Sequence, residues 1–239
     1  MAEDLVLFER PWQIVEENDR HLVADAAWLA EHGAPGRRIF AVDFGSSSER
    51  PACLGPETWI GGDGLAGRFA GAILIGPERI LAAASARVRP GAVIDAAAGP
   101  VILGPGVVIH PLSVVTGPAY LGPGTTVNPG AKLREGTSAG AFCKLGGEIE
   151  ESVILDLSNK QHDGFLGHAL VGSWVNLGAD TNGSDLKNNY GPVRVDLGEG
   201  SVDTGRSFVG QHLADHVKTG IDTMLTTGGT VGVAGNVFG

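Results

Sequence analysis

Cysteine is scarce in this sequence: two residues in 239, alongside two methionines and an aromatic content of 6%. A disulfide-stapled secreted domain needs far more, so Cys53 and Cys143 read as small core residues in a reducing compartment. Positive charge is short as well. Lys and Arg number 17 against 27 Asp and Glu, a formal charge of −10. No basic cluster offsets that balance, which excludes nucleic acid and anionic membranes as natural partners. No apolar run approaches the ~20 residues of a membrane helix. The opening Met1-Ala-Glu-Asp has no basic n-region and no apolar h-region. A cytoplasmic protein is therefore expected. Disorder is excluded by 43% hydrophobic against 18% charged residues.

What the sequence has in abundance is glycine, 38 residues, roughly twice the usual share of ~7%. The glycines do not recur every third residue, so collagen is excluded. A six-residue frame opened at Leu103 gives them their place. Its first position reads Leu103, Ile109, Val115, Leu121, Val127, Leu133, Ala139 and Leu145. Seven of those eight are Leu, Ile or Val, types that supply only 57 of the 239 residues. Its fifth position reads Val107, Ser113, Ala119, Thr125, Ala131, Thr137, Cys143 and Ile149, six of them small. Its fourth holds Gly106, Gly124, Gly130 and Gly136, with Pro118 between. The frame also appears at Val88 and Ile94, offset by three residues, and returns at Val171, Leu177, Leu225, Val231 and Val237.

Such a frame is expected of a three-sided parallel β-coil. The aliphatic residue points into a prism, the small residue fits where the interior narrows, and glycine turns the corner. Residues 71–239 are assigned to this coil. Residues 1–70 are assigned to a small α/β cap over its open end. Within the cap, a strand is expected at 4–8, a helix from Pro11 through Trp12, Val15, Leu22, Val23, Ala26, Leu29 and Ala30 to a stop near Gly33, and a strand at 39–44 followed by a loop at 45–48. Gly62-Asp-Gly-Leu-Ala-Gly67 satisfies a dinucleotide-binding spacing, but with no clear helix after it the segment reads as a turn entering the coil. The chain stops immediately after a hexad, so its far end is expected to be covered by a partner subunit, or the chain to be a shortened form of something longer.

Interruptions of the frame are where chemistry has room. They are expected between Glu151 and Phe165, and between Asp180 and Ser207, where His, Lys, Asn, Tyr and Arg concentrate in an otherwise apolar, glycine-rich body. Three strings in and after these breaks are specific: Asn159–Gly167 (Asn-Lys-Gln-His-Asp-Gly-Phe-Leu-Gly), Leu186–Tyr190 (Leu-Lys-Asn-Asn-Tyr) and Lys218–Met224 (Lys-Thr-Gly-Ile-Asp-Thr-Met). With Val171-Gly-Ser-Trp-Val-Asn-Leu-Gly-Ala-Asp-Thr181, they resemble the hexapeptide-repeat acyltransferases. The resemblance is to the acetyltransferase half of bifunctional glucosamine-1-phosphate acetyltransferase/uridyltransferases, and within them to a sugar nucleotidyltransferase-like branch.

That resemblance implies an all-β, left-handed parallel β-helix that forms a homotrimer. It implies acetyl transfer from acetyl-CoA to an amino sugar phosphate or nucleotide sugar, with no metal required. The implied general base is His162, since an imidazole titrates near neutral pH. Lys160, Asn176, Asn188, Asn189 and Tyr190 are the implied substrate contacts. Lys187 and Arg194 suit a phosphate. The implied CoA contacts are Ala179, Gln211 and Thr227. Two departures alter substrate recognition: Phe165 stands where the family has an aromatic hydroxyl, and Asn128 where it has an arginine. Uridyltransfer is not expected, because only ~70 residues precede the coil. Two other readings stay open. One is a non-catalytic sugar-nucleotide-binding or scaffold β-helix. The other is a zinc enzyme like the gamma-class carbonic anhydrases, drawing on His110, His162, His168, His212 and His216.

Overall fold

A computed structural model describes residues 8–32, 59–62 and 64–238. The strands expected at 4–8 and 39–44, the loop at 45–48 and Cys53 lie outside the described residues, apart from Phe8. The rest is a parallel β-solenoid whose short strands stack into three faces.

On the first face the inward column runs Ala82, Leu103, Leu121, Ala139, Ile154, Val171, Leu213 and Val231. On the second it runs Leu74, Ile94, Val115, Leu133, Ile149, Leu166, Gly183 and Leu225. The third carries Val88, Ile109, Val127 and Leu145, and then Lys160. These aliphatic residues form one continuous buried core. Each removes a side chain worth ~1.5–3 kcal/mol of transfer free energy from water. The small polar residues of the frame serve the corners. Ser113 Oγ donates to the His110 and Asn128 carbonyls, Thr125 Oγ1 to Gly140 and Ser158 Oγ to Gly172. Backbone groups that the turns would otherwise strand are thereby paired.

The coil length varies where the hexad frame does not. Eighteen residues separate Leu103 from Leu121 and Leu121 from Ala139. Ile149 pairs with Leu133, sixteen residues back, and so belongs to the wide inward column, not to the narrow fifth position expected of it. The Gly146-Gly147 corner, with Gly147 at φ 69, closes in fewer residues. The interruption expected at 151–165 is therefore not one: the solenoid passes through it on shorter coils. The second interruption is real. Val171 pairs with Leu213, 42 residues on, and the extra length forms an excursion whose hairpin pairs Arg194–Asp196 with Ser201–Asp203.

The expected cap divides into two. Helix α1 (Pro11–His32) does not cover the open end; it lies along the first face. Its stripe of Trp12, Val15, Leu22 and Ala26 is buried there, and Gln13 closes its start by accepting the Glu9 and Arg10 amides. Asn18 Nδ2 donates to the Gly136 carbonyl while its Oδ1 accepts from Ser138 Oγ. Trp12 meets His212 edge to face at 6.0 Å and packs with Val193, Val195 and Val209 of the excursion. The amphipathic stripe is covered there by the outer side of the first face. Among the described residues it is α2 (Gly64–Arg68) that covers the end, a helix the glycine spacing at 62–67 did not suggest; its Leu65 and the following Phe69 join the core.

Two ionisable groups under α1 couple its docking to pH. Burial, then the Asp19 carboxylate, pushes Glu151 up to about 7. Such an acid holds its proton more tightly folded than unfolded, so its contribution is present at low pH and is lost as pH rises from the ordinary 4.5 through about 7. His212 is buried with neither ring nitrogen partnered, and burial pulls it down to about 4. Its contribution is present above 6.5 and lost as pH falls towards 4. Thermal melts from pH 4 to 8 should show both limbs. Glu151→Gln should flatten the alkaline limb and His212→Leu the acid one; limbs that persist in these variants would show that other groups control the docking.

Candidate functional site

Lys160 occupies a core position on the third face, next in the column after Leu145, and is 2% exposed. Its Nζ donates to the carbonyls of His162 at 2.6 Å, Asp163 at 2.9 Å and, at the limit, Gly146 at 3.5 Å. Burial lowers it to about 8, against the opposing pull of Asp163 and Asp180. Asn128 Nδ2 donates to the Gln161 carbonyl at 2.9 Å. The 161–164 corner is thus tied from within the solenoid, while the His162 side chain is exposed on its rim. The approach beneath is close: a Cβ on Gly147 would stand 2.5 Å from the Gly164 carbonyl and 2.8 Å from that of His162.

Lys160, read from the sequence as a substrate contact, therefore has its ammonium inside the prism and bonded to the chain. Asn128, which replaces an arginine of the resembled family, is likewise engaged by this corner. Asn176 stands on the exposed side of the third face, where its Oδ1 faces Asn159 Nδ2 at 3.4 Å. Lys218 continues the same outer column. Ala179 belongs to the next corner along the stack, which lies against Gly164: a Cβ there would meet the Thr181 carbonyl at 2.2 Å.

The excursion holds a second group of expected contacts. Lys187 Nζ donates to the Pro192 carbonyl, and Asn189 Oδ1 accepts from the Gly191 amide. Asn188 is exposed and Tyr190 is 74% exposed. Arg194 is spent across the hairpin, on the Ser201 hydroxyl and carbonyl and on Asp203 at 3.8 Å. Thr227 Oγ1 bonds to Ser184 Oγ and the Leu186 carbonyl at the excursion's root. Gln211, expected to touch CoA, is fully buried, and its Nε2 donates to the Ser184 and Thr226 carbonyls. The structure therefore gathers Lys160 with His162, and Lys187 through Tyr190 with each other. No hydrogen bond or ion pair joins the two groups among the described residues.

The histidines weighed as zinc ligands are also apart. His212 lies under Trp12, His216 stacks on Trp174 at 6.2 Å, and His168 bonds through Nδ1 to Asp185 Oδ2 at 2.8 Å. Among the described residues no three imidazoles form a metal-sized cluster. The His168–Asp185 pair went unrecognised in the sequence. Its signal was the spacing: 17 residues is one coil here, so the two are neighbours across the stack.

No known family profile matches the chain. Curated relatives do match in part. A bifunctional sugar-1-phosphate nucleotidylyltransferase/acetyltransferase of Sulfurisphaera tokodaii is 29% identical over 91 residues, covering 38% of this chain and 23% of that protein. The bifunctional protein GlmU of Methanococcus aeolicus is 32% identical over 104 residues, 44% of this chain and 24% of its own length. That of a Nostoc species is 32% identical over 150 residues, 61% of this chain and 30% of its own length. The matched stretch spans less than a third of each of these relatives. The curated homologues are thus of the GlmU type, at low identity and partial coverage.

The tie beneath His162 has a measurable consequence. Lys160→Met keeps the length of the buried chain but leaves the His162 and Asp163 carbonyls without their donor, so the melting temperature should fall. Amide exchange of residues 161–164 should accelerate by more than the global loss of stability accounts for, because two carbonyls of the corner lose their common donor. Unchanged exchange in a folded variant would show that the corner is held without Lys160.

Proposed function

We propose that this protein transfers an acetyl group from acetyl-CoA to the amine of an amino sugar phosphate or nucleotide sugar, with His162 as general base. The observation that carries the reading is an exposed imidazole on a corner tied by Lys160 from inside the solenoid and by the half-buried Asn128. A base set on a fixed backbone is what positioned proton transfer requires. The GlmU-type relatives, one of which carries acetyltransferase in its name, support the same class.

In this reading the substrate amine attacks the thioester carbonyl as His162 takes its proton. The C–N bond forms, the tetrahedral intermediate collapses with loss of the C–S bond, and the thiolate of CoA leaves and is reprotonated. No acyl-enzyme is needed, and the buried Cys143 takes no part: burial pushes its thiol up to about 11. Asn176, on the exposed side of the third face, orients the acceptor. Ala179, one coil along the stack, borders the thioester. Lys187 and Arg194 meet the phosphate by exchanging their present bonds to Pro192 and Ser201 for phosphate oxygens. Among the described residues no hydrogen bond or ion pair joins the excursion to the His162 corner; in this reading a homotrimer, as the resemblance implies, completes the site by setting one subunit's excursion against its neighbour's corner. Gln211 acts on the reaction only through the wall it stiffens.

Release of CoA from acetyl-CoA, measured with a panel of amino sugar 1-phosphates and UDP-amino sugars, tests this directly. His162→Ala should lower kcat by ~10²–10⁴-fold, the usual worth of a positioned general base, with folding and assembly unchanged. Turnover that survives the substitution would remove His162 from the mechanism. Failure to bind acetyl-CoA at all would remove acyl transfer and leave a sugar-nucleotide-binding scaffold.

A further inference from the structure

We propose that Glu150, His168 and Asp185 hold one divalent transition-metal ion, Zn²⁺ or Mn²⁺, at the root of the excursion. One ligand atom from each lies within 4.8 Å of the others. The side chains are largely shielded, at 16% exposure for Glu150, 25% for His168 and 10% for Asp185. One imidazole and two carboxylates form a mixed nitrogen–oxygen set that suits these ions.

Glu150 is paired with Gly167 across the stack, and the space that a Cβ on Gly167 would take is filled by the Asp185 carboxylate and the Phe165 ring. His168 Nδ1 bonds to Asp185 Oδ2 at 2.8 Å, so the ion would enter by replacing the proton of that bond. The Phe208 ring stacks on the imidazole at 5.2 Å and shields it from solvent. Negative charge is in excess: Arg134 is shared among Glu150, which it contacts most closely, Glu135 at 3.3 Å and Glu148 at 3.6 Å, and Lys132 reaches Glu148 at 3.9 Å. Asp185, bonded to His168, adds a fourth carboxylate against those two cations. Arg134 is bonded at Glu150 Oε2, and a carboxylate can accept a guanidinium and a metal together through its several lone pairs.

The ion would do a structural job. Glu150 and His168 belong to successive coils, whereas Asp185 opens the chain's departure into the excursion. A metal bridging the three fastens the root of the segment that carries Lys187 to Arg194. His162 and His168 lie in the two corners at opposite ends of the strand Phe165–Gly167. This site is therefore separate from the proposed base, and its test does not depend on acyl transfer.

Calorimetric titration of the chelator-stripped protein with ZnCl₂, repeated with MnCl₂, should give one ion per chain. Asp185→Asn, which keeps the side chain's shape, and His168→Gln should each weaken binding by ten-fold or more, while His162→Ala should leave it unchanged. Arg134→Gln discriminates best. It frees Glu150 and should tighten metal binding, although in a purely ion-paired cluster it could only destabilise. Absence of binding to the folded protein, equal binding by the Asp185 and His168 variants, or weaker binding by Arg134→Gln would each overturn the assignment.

Discussion

Every feature of this protein hangs from the stacking of like on like along the inside of the prism. A strand of two or three residues has too few hydrogen bonds to persist alone. It persists because its single inward side chain rests on the one below and supports the one above, while its backbone pairs with both. Ile109, Val127 and Leu145 on the third face are such a column. The parallel ladder and the apolar column enforce each other, since a slip of one residue would turn the column outward.

That arrangement confines chemistry to the corners. A side chain on a face either fills the core or lies in a flat ladder, whereas a corner residue in the left-handed conformation stands out from the rim. Most early corners are taken by glycine, as at Gly106 and Gly124, with Leu112 and Phe142 holding two others. Later ones carry Glu151, His168, Trp174, Asp180 and His216 at φ between 41 and 62. Such backbone is unfavourable for residues with a Cβ, and the solenoid holds it by hydrogen bonds from the corners of neighbouring coils. Acidic, imidazole and indole groups thereby gather along three edges of an otherwise featureless rod.

Much of this was legible in the sequence. The alternation of Leu103, Ile109 and Val115 with small residues announced the prism, and the density of polar residues at 180–207 announced the excursion. What escaped was whatever depends on coil length. The shortened coil that carries Ile149 into the wide column is set by the Gly146-Gly147 corner, and a fixed six-residue frame has no place for it. The inward course of Lys160 follows from that shift: a lysine in an unbroken frame reads as a surface residue or a ligand contact. Partners such as His168 and Asp185, or Asn159 and Asn176, are one coil of 17 residues apart, a spacing that becomes a signal only once the coil length is known. The site of α1 escaped for a different reason. Its stripe showed that it needed an apolar surface, but the end and the flank of the rod both offer one.

The excursion has a consequence for how this protein can change. It leaves the stack after Gly183 and rejoins it before Leu213, between two positions that a regular coil would connect by a single corner. The coils on either side keep their register across it, with Val171 still resting on Leu213 and Gly183 on Leu225. Insertions and deletions in this loop therefore do not propagate into the ladder. Recognition and scaffold are separately heritable: the loop can be lengthened, exchanged or recombined between genes while the rod beneath it remains the same rod.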